Sequence, residues 1–381
     1  MADSFEFWRL AWANAVAGGV KRFAESFPGG ALVREAAAGP PDMLVFQPVR
    51  LELATMRLLE ERDDAGSPAA KTLIVAPFAV HEASIADFAE GHSLARALAA
   101  AGAGPLALTW WRSAGAEMRD FGVDAYLGDL NVAVDDLGGR VSLVGLCQGG
   151  WLAAAYAARF PAKVVKLVLA GAPIDPGAAE SAITRALAAV PREMIESLVA
   201  LGGGRVSGSL SLGLWPDDVM PDFSAEAALQ GAGDSTIVEQ FNAWNLRTVD
   251  LPGAYFVQTA EWIFRENRLA KNSFPALGRT VGLSSITSPI FVLAAADDEI
   301  VSLGQAIAVQ DRCRQTRVTI RVVPGRHLSL FMGRGTVGEV WPEIGRWLAE
   351  RESETAAAGR RGRKRASRGG SRPSSPFSGA L

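Results

Sequence analysis

Between residues 71 and 170 the chain alternates short apolar runs with stretches of helical spacing, and few folds accept that rhythm. Residues 71–77 (KTLIVAP), 105–110, 141–146 and 164–170 read as strands. Residues 88–102, 124–138 and 149–159 read as helices, and Gly138 and Gly139 mark the end of the second. Strands separated by helices predict a parallel sheet covered on both faces, an α/β architecture. Strand-like runs resume at 289–295 and 318–323, followed by a closing helix over 337–350. Residues 176–285 break the pattern with Gly202, Gly203 and Gly204 and several Trp and Phe, which predicts an inserted cap over an active site.

The ends of the chain differ from this middle. Residues 5–26 place Phe5, Trp8, Trp12, Val16, Val20 and Phe23 near helical spacing, and residues 48–62 predict a further helix. The first of these either covers the core or a subunit interface, or lies on a lipid or polymer surface. Residues 358–381 hold Arg360, Arg361, Arg363, Lys364, Arg365, Arg368 and Arg372 and no acid. The formal net charge of −3 therefore hides a −10 over the other 357 residues. That basic segment lacks apolar periodicity, so it reads as a disordered tail, either solubilising or a hook for nucleic acid or another anionic partner. The expected division is an N-terminal helical segment over 1–65, a sheet core over 66–175 and 286–352, a cap or lid over 176–285, and the tail over 353–381.

Several classes are disfavoured. No run of about 18 apolar residues free of polar interruption is present, so no transmembrane segment is expected. Asp3 and Glu6 stand where a secretory leader needs positive charge. Two cysteines, Cys147 and Cys313, cannot build a disulfide scaffold or a multi-cysteine zinc site, and a reducing cytoplasm is the expected compartment. No phosphate-binding glycine loop follows a strand, and no HExxH or paired-histidine metal site exists.

The chemistry concentrates in Gly145-Leu146-Cys147-Gln148-Gly149-Gly150, between the strand VSLVG and the Ala-rich helix WLAAAYAARF. A sharp strand-to-helix turn flanked by small residues is the context of a nucleophile elbow, with cysteine where serine is usual. The dipole and free N–H groups of a helix start favour thiolate over thiol, and the Gln148 N–H would supply half of an oxyanion hole. Cys313, in QDRCRQ on a helix, has no such context and reads as structural.

A thiol needs a base, and the sequence has only His81, His92 and His327. His327 follows the last strand, where an α/β-hydrolase fold places its histidine. The orienting acid belongs on the loop after the preceding strand, which reads Ala296-Asp297-Asp298-Glu299; Asp298 is the choice and Asp297 the runner-up. His81, after the first sheet strand, either lines the substrate path or sits on a surface loop. His92, at the start of a helix, reads as structural.

These motifs resemble the polyhydroxyalkanoate (PHA) synthases and the related intracellular PHA depolymerases. GLCQGG is similar to the synthase form of the lipase box, and its Cys-Gln-Gly-Gly particularly resembles the short class III synthase subunits. LTWWRSAGAEMRDFGVDAYLGDL resembles the family's Trp-rich strand and the helix after it, while AADDEIV and GRHLSLFMGRG resemble its acid and histidine loops. The stretch 255–274 looks like the depolymerase branch, whereas the pair Gly149-Gly150 looks like the synthases. The resemblance covers about residues 70–350.

It implies an α/β-hydrolase fold in which Cys147 is acylated by an (R)-3-hydroxyacyl group from coenzyme A. His327 would move the proton and Asp298 would hold the imidazole. A second oxyanion donor would come from backbone near Phe78, Ala79 and Val80, and Trp215, Phe241, Trp244 and Trp262 would form a lid and an apolar channel. The implied function is polymerisation of (R)-3-hydroxyacyl-CoA, with PHA depolymerase or thioesterase action as the alternative and a granule- or nucleic-acid-tethering role as the next. No cofactor beyond the coenzyme A thioester substrate is implied. The implied partners are PHA polymer and a second synthase subunit or a second copy of the chain, in a cytoplasmic, granule-associated setting.

Overall fold

The computed structural model describes residues 43–61, 72–208, 224–231 and 234–350. The expected helix over 5–26, Trp215 and the basic tail lie outside these residues. Eight strands form the main sheet: β1 (Phe46–Glu52), β2 (Met56–Glu61), β3 (Thr72–Val75), β4 (Leu106–Trp111), β5 (Val141–Leu146), β6 (Val164–Ala170), β7 (Ile290–Ala295) and β8 (Val318–Val323). Their spatial order is β1-β2-β4-β3-β5-β6-β7-β8. From β4 to β8 every pairing is parallel, with Val75 opposite Gly145, Leu146 opposite Ala170, and Ala295 opposite Val323. That order, with β2 antiparallel between β1 and β4, is the α/β-hydrolase fold.

Helices α1 (Leu94–Ala100), α2 (Val123–Asp136) and α3 (Gln148–Arg159) cross between the strands, and α7 (Trp341–Ala349) closes the core. Strands β3, β4, β5 and β7 are buried along their whole length. Continuous Val/Leu/Ile runs suit them because both faces are covered. The expected helix over 88–102 begins only at Leu94, where the Ser93 hydroxyl accepts the Arg96 N–H as N-cap. The closing helix ends on buried Lys166, whose ammonium donates to the Trp347 carbonyl at 2.5 Å and the Glu350 carbonyl at 2.7 Å. A cation at a helix C-terminus meets both the orphan carbonyls and the dipole.

One expectation is overturned. The stretch 48–62 is read as helix within a helical segment over 1–65, but its described part, to residue 61, belongs to the β1–β2 hairpin. β2 completes the ladder of β4, with Met56 opposite Trp111 and Leu58 opposite Thr109. Sheet pairing and burial of Met56, Leu58 and Leu59 outweigh the helix-favouring side chains. Thr55 anchors the turn, its N–H and hydroxyl both donating to the Asp129 carboxylate on α2 at 2.8 Å.

Between β6 and β7 lies the inserted segment. Its described part contains α4 (Ala182–Ala189), α5 (Arg192–Leu201) and α6 (Ser235–Asn245). A further helix, Gly253–Gln258, continues into a π-helical turn, Thr259–Arg265, and a small hairpin follows.

Candidate active site

Position 147 is a point of backbone strain. Cys147 has φ 47° and ψ −120°, between the end of β5 and the first turn of α3. A non-glycine residue there persists only where its surroundings dictate it. Three glycines do so by close approach. A Cβ on Gly149 would lie 2.2 Å from the Val75 carbonyl oxygen, and one on Gly145 would lie 2.5 Å from the Gly150 Cα. A Cβ on Gly150 would meet that of Ala172 at 2.3 Å. The Cys147 N–H donates to the Ala170 carbonyl, and its own carbonyl accepts the Gly150 N–H, both at 2.8 Å. The Gln148 N–H is the first of α3 and so has no partner within the helix. The Gln148 side chain is held aside by the Trp151 indole, which donates to it at 2.6 Å.

His327 and Asp298 stand on the loops after β8 and β7. The His327 Nδ1–H donates to Asp298 Oδ2 at 2.8 Å, with Oδ1 at 3.0 Å. Asp298 Oδ1 also accepts the N–H groups of Ile300 and Val301 at 2.9 and 2.8 Å, which fixes the carboxylate. With Nδ1 engaged, Nε2 is the free end of the ring. Burial disfavours the imidazolium, but the Asp298 charge and contact with Cys147 outweigh it and hold the His327 pKa well above its ordinary value. Gly171 leaves room for the ring, since a Cβ there would lie 3.2 Å from His327 Cε1. Asp297, the runner-up, has an exposed side chain, and Asp298 alone supplies the carboxylate at Nδ1.

A narrow cavity of about 70 Å³ joins Cys147 and His327, lined also by Gln148, Ala79, Val80, His81 and Trp244 among others. Phe78 does not line it. Its ring is buried among Trp111, Tyr126 and Tyr255, with centroids 5.0 to 6.0 Å apart. His81 does line it, together with Cys147 and His327. Its ring stacks on Trp244 at 4.3 Å, and its Nε2–H donates to the Asn245 carbonyl at 3.2 Å. Burial pushes the His81 pKa down to about 4, partly opposed by hydrogen bonding to Asn245.

The whole 80–82 strip is clasped by the insertion. The Val249 N–H donates to the Val80 carbonyl at 2.8 Å, and Arg247 pairs with buried Glu82 at 2.9 Å. Burial raises the Glu82 pKa, and Arg247 and Ser84 oppose that rise. Sequence reading missed Asn245 and the Arg247–Glu82 pair. These contacts span more than 160 residues and carry no local signal.

The remaining candidates lie elsewhere. His92 is buried, its Nδ1–H donating to the Met332 carbonyl at 2.6 Å. Cys313 is buried, bonded to the Leu283 carbonyl, and its thiol is pushed up to about 12 by burial. Phe241 packs edge-on against Phe88 and beside Trp244. Trp262, expected in the channel, instead lines a separate cleft of about 470 Å³, with Arg268 over its ring. Among the described residues, no cluster of His, Cys, Asp and Glu suits a metal ion, and no helix is long and apolar enough to cross a membrane.

Residues 220–352 match the family described as PHB de-polymerase C-terminus. The poly(3-hydroxyalkanoate) polymerase subunit PhaC of Synechocystis sp. is 27% identical over 296 residues, covering 72% of this chain and 76% of that protein. The PhaC subunit of Allochromatium vinosum is 25% identical over 297 residues, covering 75% of this chain and 83% of that protein. Among solved structures, the Paleococcus ferrophilus monoacylglycerol lipase superposes with a TM-score of 0.49 at 16% identity, covering 73% of this chain and 93% of that one. The fold assignment rests on the strand order itself. The chain is an α/β-hydrolase-fold protein related in sequence to the PhaC polymerase subunits.

Proposed function

We propose that this chain is an acyltransferase that polymerises (R)-3-hydroxyacyl-CoA into polyhydroxyalkanoate through an acyl-cysteine at Cys147. The observation that carries the reading is a strained cysteine at a strand–helix turn, facing a histidine that is itself hydrogen-bonded to a fixed aspartate. The names of the related polymerase subunits supply the substrate class.

In the first half-reaction, the Cys147 sulfur attacks the thioester carbonyl and its proton passes to His327 Nε2. The carbonyl oxygen gathers negative charge against the Gln148 N–H and backbone N–H groups at Ala79 and Val80. Collapse forms the Cys147 thioester, breaks the bond to coenzyme A and returns the proton from His327 to the departing thiolate. One thioester replaces another, so little energy is lost. In the second half-reaction, the 3-hydroxyl of a monomer or growing chain attacks the acyl-cysteine. His327 takes the hydroxyl proton, an ester forms, and Cys147 leaves as the thiol. Asp298 keeps Nδ1 protonated and steadies the imidazolium throughout. The reaction needs no cofactor beyond its thioester substrate.

A second reading is hydrolysis of the same polymer, favoured by the match of residues 220–352 to the depolymerase C-terminus family. It differs in the donor, a polymer ester whose leaving group is a chain alcohol protonated by His327, and in the acceptor, water in place of a hydroxyl. A second synthase subunit or another copy of the chain, a PHA granule in the cytoplasm, and an anionic partner for residues 358–381 are the associations that go with the proposal.

The test is incubation with (R)-3-hydroxybutyryl-CoA, with Cys147→Ala as control, following coenzyme A release and product size. Release with insoluble polymer is expected. Release with free hydroxy acid alone assigns hydrolysis, and a covalent adduct surviving in Cys147→Ala removes the nucleophile assignment.

A further inference from the structure

The geometry points to His81 as the residue that selects hydroxyacyl over unsubstituted acyl groups, its Nδ1 accepting the hydrogen bond of the substrate's 3-hydroxyl. This rests on the acyl-cysteine reading above and adds to it the recognition of the hydroxyl.

Three observations carry it. His81 lines the same narrow cavity as Cys147 and His327, which is otherwise walled largely by apolar side chains such as Ile85, Ile183, Ile300 and Phe331. Its Nε2–H donates to the Asn245 carbonyl, so the neutral ring carries its lone pair on Nδ1. Its face rests on the Trp244 indole at 4.3 Å, and the neighbouring Thr248 forms a β-bridge with it. The ring is therefore fixed in tautomer and plane by the insertion before any substrate arrives. An acceptor held in an apolar pocket discriminates strongly, because a ligand lacking the hydroxyl leaves it unpaired.

The ring also keeps this role across ordinary conditions. Burial holds it neutral down to about pH 4, so it acts as an acceptor and not as a second proton carrier. His327, whose pKa moves the opposite way, carries the protons. Two imidazoles in one cavity are thus driven apart in charge, one to bind and one to transfer.

The experiment measures acylation of Cys147 by intact-protein mass, with (R)-3-hydroxybutyryl-CoA and with butyryl-CoA, and takes the ratio of the two rates. Asparagine keeps an acceptor near the position of Nδ1, whereas glutamine keeps a polar group nearer Nε2. The ratio is expected to fall about tenfold in His81→Gln and His81→Phe. In His81→Asn it is expected to stay nearer the wild-type value. A wild-type ratio in His81→Gln, or an equal fall in His81→Asn, overturns the assignment. Acylation of the wild-type protein by neither thioester overturns the functional reading first and this inference with it. Wild-type acylation with unchanged ratios in the variants overturns this inference alone.

Discussion

At the scale of single residues, the site is a division of labour among side chains whose surroundings differ sharply. Asp298 is tied down by three donors, the imidazole and two backbone N–H groups, while Asp297 beside it points into solvent. Asp298→Asn is expected to lower kcat on the order of 10³-fold, because the amide no longer fixes the productive tautomer. Asp297→Asn should stay near wild type, and steady-state coenzyme A release checks both. The depressed His81 pKa makes a separate claim about stability. Its folded value of about 4 lies below the unfolded value of 6.5, so the unfolded chain takes up a proton that the folded ring refuses. Stability is expected to fall as pH drops from about 6.5 to about 4, by about 3 kcal/mol in full. His81→Asn removes this titration, so urea unfolding at pH 7 and pH 4.5 should show the gap between wild type and variant narrowing in acid.

At the scale of elements, the turn between β5 and α3 is built by subtraction: the atoms its glycines lack make it possible. Gly149→Ala forces a methyl against the Val75 and Ala76 carbonyls, and is expected to cost about 3 kcal/mol, read as a lower urea midpoint with the same slope. This element was legible in the sequence, because small residues packed around Cys147 between a strand and a helix suit a tight elbow and little else. The parallel strands were legible for a related reason: burial on both faces writes itself as uninterrupted apolar runs. The β1–β2 hairpin was not. Leu51, Leu53, Met56, Leu58 and Leu59 fall at spacings that suit a helix equally well, and only the partner strand β4, fifty residues on, decides between them. The clasp of residues 244–249 on the 80–82 strip was likewise invisible, since nothing local in Asn245 or Arg247 announces His81 or Glu82.

At the scale of the molecule, the groups of the site come from far-apart loops that the strand order gathers at the C-terminal ends of the parallel strands, and the insertion packs against them. Charge is divided along the chain as well, with seven cations in residues 358–381 set against −10 elsewhere. Deleting residues 358–381 is expected to leave acylation of Cys147 intact and to abolish binding to a DNA duplex. In the full chain, log affinity should fall with log salt at a slope of up to about −6, and titration at several salt concentrations reads this directly. The positive φ at position 147 has its own bearing on the whole frame. It goes with the close approaches at Gly145, Gly149 and Gly150, whose nearest neighbours are backbone atoms of Val75, Ala76 and Gly150 and the Ala172 methyl. The scaffold therefore presents whatever atom sits there, alcohol as readily as thiol. On the acyl-cysteine reading proposed above, exchanging that sulfur for oxygen would hold the cargo as an ordinary ester in place of an activated thioester, on a turn whose close approaches are made by its glycines.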